Sequence, residues 1–178
     1  LIPGVQTIAL LPGSRLPEAT NNLVLLLELV KEIASNSTVP VQFRAALVPA
    51  LMPQLDDIAA RSGWQMRSGK LIFPAIKRSF SEEKLVEVMC WADAFADILQ
   101  QSSLVIGMTG TAVEQAVGLG KPVIAVPGNG PAFTYRFAEA QNRLLGHSVQ
   151  VIGTQPANSH IIKEAALAVD RTLQNDKY

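Results

Sequence analysis

Gln6-Thr7-Ile8-Ala9-Leu10-Leu11-Pro12-Gly13-Ser14-Arg15 is the stretch that decides the fold. Residues 6–11 read as a strand. Residues 12–17 carry two prolines and a glycine and read as a turn-rich loop. Helical spacing takes over at Glu18: apolar side chains fall at 23, 26, 27, 30, 33 and 34, and Leu25 and Leu29 widen the stripe. A stripe that broad over 18–35 suits a helix packed on a sheet.

The same alternation continues along the chain. Residues 41–48 read as a strand and 52–62 as a helix ended by Gly63. Residues 64–67 and 70–73 flank Ser68-Gly69 and read as a hairpin with a two-residue turn. Residues 73–81 read as a loop. Residues 85–99 fit one long helix through positions 85, 88, 89, 92, 95, 96 and 99. Their β-branched and aromatic content favours a strand over 86–91 and then a helix over 93–101, the reading adopted. Beyond it come a strand at 104–108, a helix at 111–119 stopped by Gly120, and a strand at 122–126. A helix at 133–145 stopped by Gly146, a strand at 148–152 and a closing helix at 158–173 complete the chain. Ile162, Ala165, Ala166, Val169 and Leu173 face inward on that last helix. Apolar strands alternating with helices predict a parallel sheet covered on both faces, with right-handed crossovers. The expected fold is α/β: a three-layer, doubly wound, Rossmann-like parallel sheet in a single domain over 1–178.

At 178 residues the chain is long enough to bury a sizeable core. Its 48% apolar and 17% charged residues exclude a disordered tail or a highly charged coiled coil. Lys plus Arg and Asp plus Glu total 15 each, so no basic excess advertises a nucleic-acid partner. The single Cys90 excludes an internal disulfide and fits a reducing compartment such as the cytoplasm. The densest apolar run, 23–30, is broken by Glu28 and is shorter than the about 20 residues that span a bilayer. No transmembrane segment or signal-peptide pattern is visible. The first residue is Leu1 rather than Met, and the chain is expected to be a fragment of a longer protein.

In doubly wound sheets ligands bind outside the carboxyl ends of the strands. Three loops therefore stand out. In the first, Gly13 lets the backbone approach a ligand, the next helix offers a positive dipole end, and Arg15 adds a charged fork for phosphate or carboxylate. An ordinary turn with a solvated arginine explains that loop equally well. It matches neither the G-x-G-x-x-G dinucleotide fingerprint nor a P-loop, which argues against a nicotinamide dehydrogenase. In the second, Gly107-Met108-Thr109-Gly110-Thr111 opens a helix, and Thr111 with Glu114 reads as a capping box. The sharper alternative has Glu114 or Gln115 accepting from sugar hydroxyls. The third loop is Pro127-Gly128-Asn129-Gly130-Pro131. His147 and His160 read as exposed and Cys90 as buried rather than reactive. No zinc spacing, G-x-S-x-G elbow or helically spaced carboxylate pair is present, so no metal is expected.

On these residues the chain resembles a family. Leu10-Leu11-Pro12-Gly13-Ser14-Arg15 with Glu18 looks like the start of the second domain of lipid-A-disaccharide synthases. Gly110-Thr111-Ala112 through Gly120-Lys121-Pro122-Val123 resembles their second motif, and Pro131-Ala132-Phe133-Thr134-Tyr135 their third. The matches span 6–145, and more broadly the chain is similar to the C-terminal half of GT-B glycosyltransferases. Gln115 falls where that family carries a ribose-binding glutamate, with Glu114 one place earlier. Gly146-His147-Ser148-Val149 replaces its Leu-Pro-Asn segment, and Gly128-Asn129-Gly130 also departs from its pattern.

The resemblance implies a UDP-sugar as substrate, with no cofactor, and transfer of a hexosyl group to an acceptor such as a lipid or glycolipid. It implies that Gly13, Ser14, Arg15, Thr109, Gly110 and Thr111 hold the diphosphate, with Arg15 the catalytic charge. Glu114 or Gln115 would meet the ribose, and Asn129 and Thr134 would lie on the sugar and acceptor side. An N-terminal acceptor domain would pack across the cleft, and the whole protein would be cytoplasmic or peripheral to a membrane. A UDP-sugar epimerase and a non-catalytic nucleotide-sugar-binding module are the alternatives.

Overall fold

A computed structural model of the chain describes residues 2–77, 83–108, 110–131 and 133–175. The strands are β1 (Gln6–Leu11), β2 (Val41–Ala46), β3 (Gln65–Arg67), β4 (Lys70–Lys77), β5 (Glu83–Trp91), β6 (Leu104–Gly107), β7 (Val123–Ala125) and β8 (Val149–Val151). The α-helices are α1 (Glu18–Asn36), α2 (Leu55–Ser62), α3 (Phe95–Gln101), α4 (Thr111–Gly118), α5 (Tyr135–Leu145) and α6 (Ser159–Gln174). The strands form one eight-stranded sheet in the order β3-β4-β5-β2-β1-β6-β7-β8.

From β5 to β8 every neighbouring pair is parallel. β1 is the middle of this arrangement. Alternate side chains enter two cores: Ile8 and Leu10 pack with α1, α2 and α6, and Ala9 and Leu11 with α3 and α4. That is the pattern expected of a parallel strand buried on both faces. The chain runs from β1 to β2 on one side and returns to β6 on the other, so the winding reverses at β1.

The doubly wound α/β expectation therefore holds, with three local corrections. The sheet is mostly rather than wholly parallel, because β3 and β4 add an antiparallel edge to β5. Ser68 (φ 48°) and Gly69 (φ 76°) form the tight turn expected of that hairpin. Residues 73–77 are strand rather than loop, and residues 78–82 lie outside the described residues. The β4–β5 register jumps between Phe73 and Ile76, and Pro74, which has no N–H to donate, falls in the jump. The helix read at 52–62 is a 3-10 segment, Pro49–Gln54, followed by α2. Pro53 inside it lacks the N–H that an α-helical ladder needs there.

Cys90 is buried on β5, as expected. Burial pushes its thiol up from the ordinary 9.0 to about 12, against a smaller opposing hydrogen bond from the Leu71 backbone. In the unfolded chain the thiol ionises first, so stability is full below 9.0 and falls as pH rises toward 12. The loss is at most about 1.4 kcal/mol per pH unit. Urea midpoints measured between about pH 8 and about pH 10.5 should fall less steeply for Cys90→Ala than for the unaltered chain. Parallel slopes would mean that the buried thiol does not set this limb.

Candidate functional site

The winding reversal leaves a crevice between the loops that follow β1 and β6. A cleft of about 580 Å³ lies there. Gly13, Ser14 and Arg15 line it from the loop after β1, and Gly110, Thr111, Ala112 and Glu114 from the start of α4. The β2 and β5 side is apolar: Leu47, Val48, Ala92 and Phe95. Phe133 and Phe137 close the other end.

Not every expected residue enters the cleft. Glu114 does, whereas Gln115, one residue on along α4, is exposed and away from it. Adjacent residues of a helix project about 100° apart, which is why only one of the two lines the cleft. Asn129 and Thr134 are exposed and do not line the cleft. Thr109 lies outside the described residues.

The two helix starts also differ from expectation. The N-terminus of α1 is closed by its own loop: Ala19 N–H donates to Arg15 O (2.8 Å) and Thr20 N–H to Pro17 O (3.1 Å). It offers a ligand little. The N-terminus of α4 is open instead. Gly110, not Thr111, is the N-cap residue, so Thr111 sits inside the helix and the capping box with Glu114 does not form. Gly110 has φ 94°, a conformation that favours glycine. Among the described residues the amides of Thr111 and Ala112 meet no acceptor, and both residues line the cleft. Free N–H groups at a helix start attract an anion.

Arg15 is exposed and forms no ion pair among the described residues, so its guanidinium is available to a ligand. Three features escaped sequence reading. Asn22, buried on α1, donates from Nδ2 to Pro12 O (2.9 Å). Gln141, buried on α5, donates from Nε2 to Gly110 O (3.0 Å). Phe133 packs against Gly13, where an added Cβ would lie 3.0 Å from its ring. Buried amides inside otherwise apolar helix faces were the available signal for the first two. His147 and His160 are exposed, as expected. Among the described residues no cluster of His, Cys, Asp or Glu could hold a metal ion. Nor is any helix there long and apolar enough to cross a membrane.

No protein-family model matches the chain, and no curated protein matches it. Solved structures do. A putative UDP-N-acetylglucosamine 2-epimerase from Listeria monocytogenes matches at TM-score 0.53 and 19% identity, over 98% of this chain and 38% of that one. An S. aureus MnaA–UDP co-structure matches at 0.49 and 14%, over 98% and 38%. The glycosyltransferase SnogD from Streptomyces nogalater matches at 0.40 and 16%, over 98% and 39%. The chain thus spans under two-fifths of the length of these proteins. The first likeness establishes a shared fold.

The tight passage at Gly13 is open to a direct check. Its φ of 99° is strained for any other residue, and a Cβ would press on Phe133. Gly13→Ala should cost about 1–2 kcal/mol of stability in urea unfolding. An unchanged midpoint would show that the loop relaxes freely.

Proposed function

We propose that the chain is the nucleotide-binding half of a GT-B-type enzyme that uses a UDP-sugar. The observation that carries the reading is the meeting of Gly13, Ser14 and Arg15 with the open amides of Thr111 and Ala112 in one cleft. In this reading the diphosphate lies between them. Arg15 and the α4 dipole stabilise the charge that develops on the departing diphosphate. Glu114 accepts from the ribose hydroxyls, and Thr109 belongs with the phosphate group. The apolar side formed by Val48, Ala92 and Phe95 suits a base, since an aromatic ring offers stacking area.

The reaction proposed is transfer of a hexosyl group to an acceptor, a lipid or glycolipid on the lipid-A-disaccharide synthase resemblance. A second domain would face the cleft and supply the acceptor site and the base. The whole protein would be cytoplasmic or peripheral to a membrane, and Asn129 and Thr134 would face the acceptor from outside the cleft. No cofactor enters this scheme.

The likeness to a putative epimerase supports a second reading, epimerisation of a UDP-sugar. That reaction needs an acid and a base at one sugar carbon. Among the described residues, Arg15 and Glu114 are the ionisable ones lining the cleft, so further groups would have to come from elsewhere.

Calorimetric titration of the chain should show weak binding of UDP in preference to ADP and NAD. Arg15→Ala should weaken UDP binding roughly ten- to a hundredfold, as expected for loss of a charge-assisted bond of about 1.5–3 kcal/mol. The melting temperature should stay close to that of the unaltered chain, because exposed loop substitutions cost under about 0.5 kcal/mol. Preference for NAD, or full UDP affinity without Arg15, would overturn the reading.

A further inference from the structure

We infer that Asn22 and Gln141 are positioning residues that aim the backbone N–H groups of Gly13 and Thr111 into the cleft. The inference rests on the diphosphate reading above and adds what holds the diphosphate's donors in place. In a trans peptide the C=O and the following N–H point in opposite directions. Asn22 Nδ2 captures Pro12 O at 2.9 Å, on the α1 side of the first loop. The Gly13 N–H of the same peptide therefore points away from α1. Gln141 Nε2 captures Gly110 O at 3.0 Å. That oxygen also accepts from Val113 N–H (2.9 Å) and Glu114 N–H (3.4 Å), so the helix's own amides and Gln141 hold it together. The Thr111 N–H of the same peptide then faces out from the start of α4.

Neither carboxamide behaves as filler. Both side chains are buried, Asn22 2% and Gln141 4% exposed. Gln141 Oε1 is buried with no donor among the described residues. A leucine of similar size would fill that space without leaving a carbonyl unpaired. Retaining the amide there makes sense if its N–H₂ is needed at Gly110. The two anchors come from helices on different segments, yet each takes hold of one of the two loops that frame the cleft. Asn22 also abuts the third loop: a Cβ on Gly128 would lie 2.9 Å from Asn22 Oδ1, so glycine is required for that approach.

UDP and uridine separate aimed donors from general stability, because uridine lacks the phosphates. For Asn22→Leu and Gln141→Leu, UDP affinity by calorimetry should fall on the order of tenfold, while uridine affinity should hold. In the unaltered chain, UDP should shift the amide NMR resonances of Gly13 and Thr111, a readout that stands even where a variant fails to fold. Equal losses for UDP and uridine, unchanged UDP affinity in both folded variants, or unmoved Gly13 and Thr111 resonances would overturn the positioning role while leaving the diphosphate reading intact. Absence of UDP binding by the unaltered chain would overturn that reading and this inference with it.

Discussion

β1 is buried on both faces and paired on both edges, and the rest of the molecule is arranged around that constraint. A strand so placed needs helices above and below. It also needs one parallel neighbour reached before the reversal and one after it. β2 and β6 fill those places. The loops leaving β1 and β6 at their carboxyl ends are then held side by side, with no helix between them. A crevice at this point follows from the topology, whatever residues line it.

The residues lining it give the crevice its chemistry. The two loops contribute differently. The loop after β1 supplies a charge, Arg15, while its own helix start is closed by internal bonds. The start of α4 supplies amides that meet no acceptor among the described residues. The approach of Phe133 to Gly13 brings the third loop against the first, so the cleft has apolar residues on the β2 side and at Phe133 and Phe137, with polar ones between. That division suits a ligand with an anionic centre and flatter groups beside it.

Much of this was legible in the sequence because strand and helix periods are strong over long segments. Residues 6–11 and the start of α1 at Glu18 match, as does the division of 85–99 into β5 and α3. The β4 strand beyond Phe73 was not legible, since Pro74 signals a break and only its antiparallel neighbour reveals the bulge that absorbs it. Gly13, Ser14, Arg15, Gly110, Thr111 and Glu114 were found as candidates because they sit where loops leave strands. Gln115, Asn129 and Thr134 were not separable from them in sequence: position along the chain does not tell which way a helix turns or a loop folds. The capping box failed for a related reason. The pattern Thr111 to Glu114 fits the motif, but Gly110 takes the cap position and shifts the register by one. Asn22 and Gln141 act across the fold, Gln141 reaching Gly110 from 31 residues away, and no local pattern encodes that.

The central claim is that one diphosphate bridges the loop after β1 and the start of α4. A crystal structure of the chain grown with UDP tests it most directly. The account predicts phosphate oxygens within hydrogen-bond distance of the Thr111 or Ala112 amide and of the Arg15 guanidinium at once. A UDP bound with its phosphates away from both would contradict it.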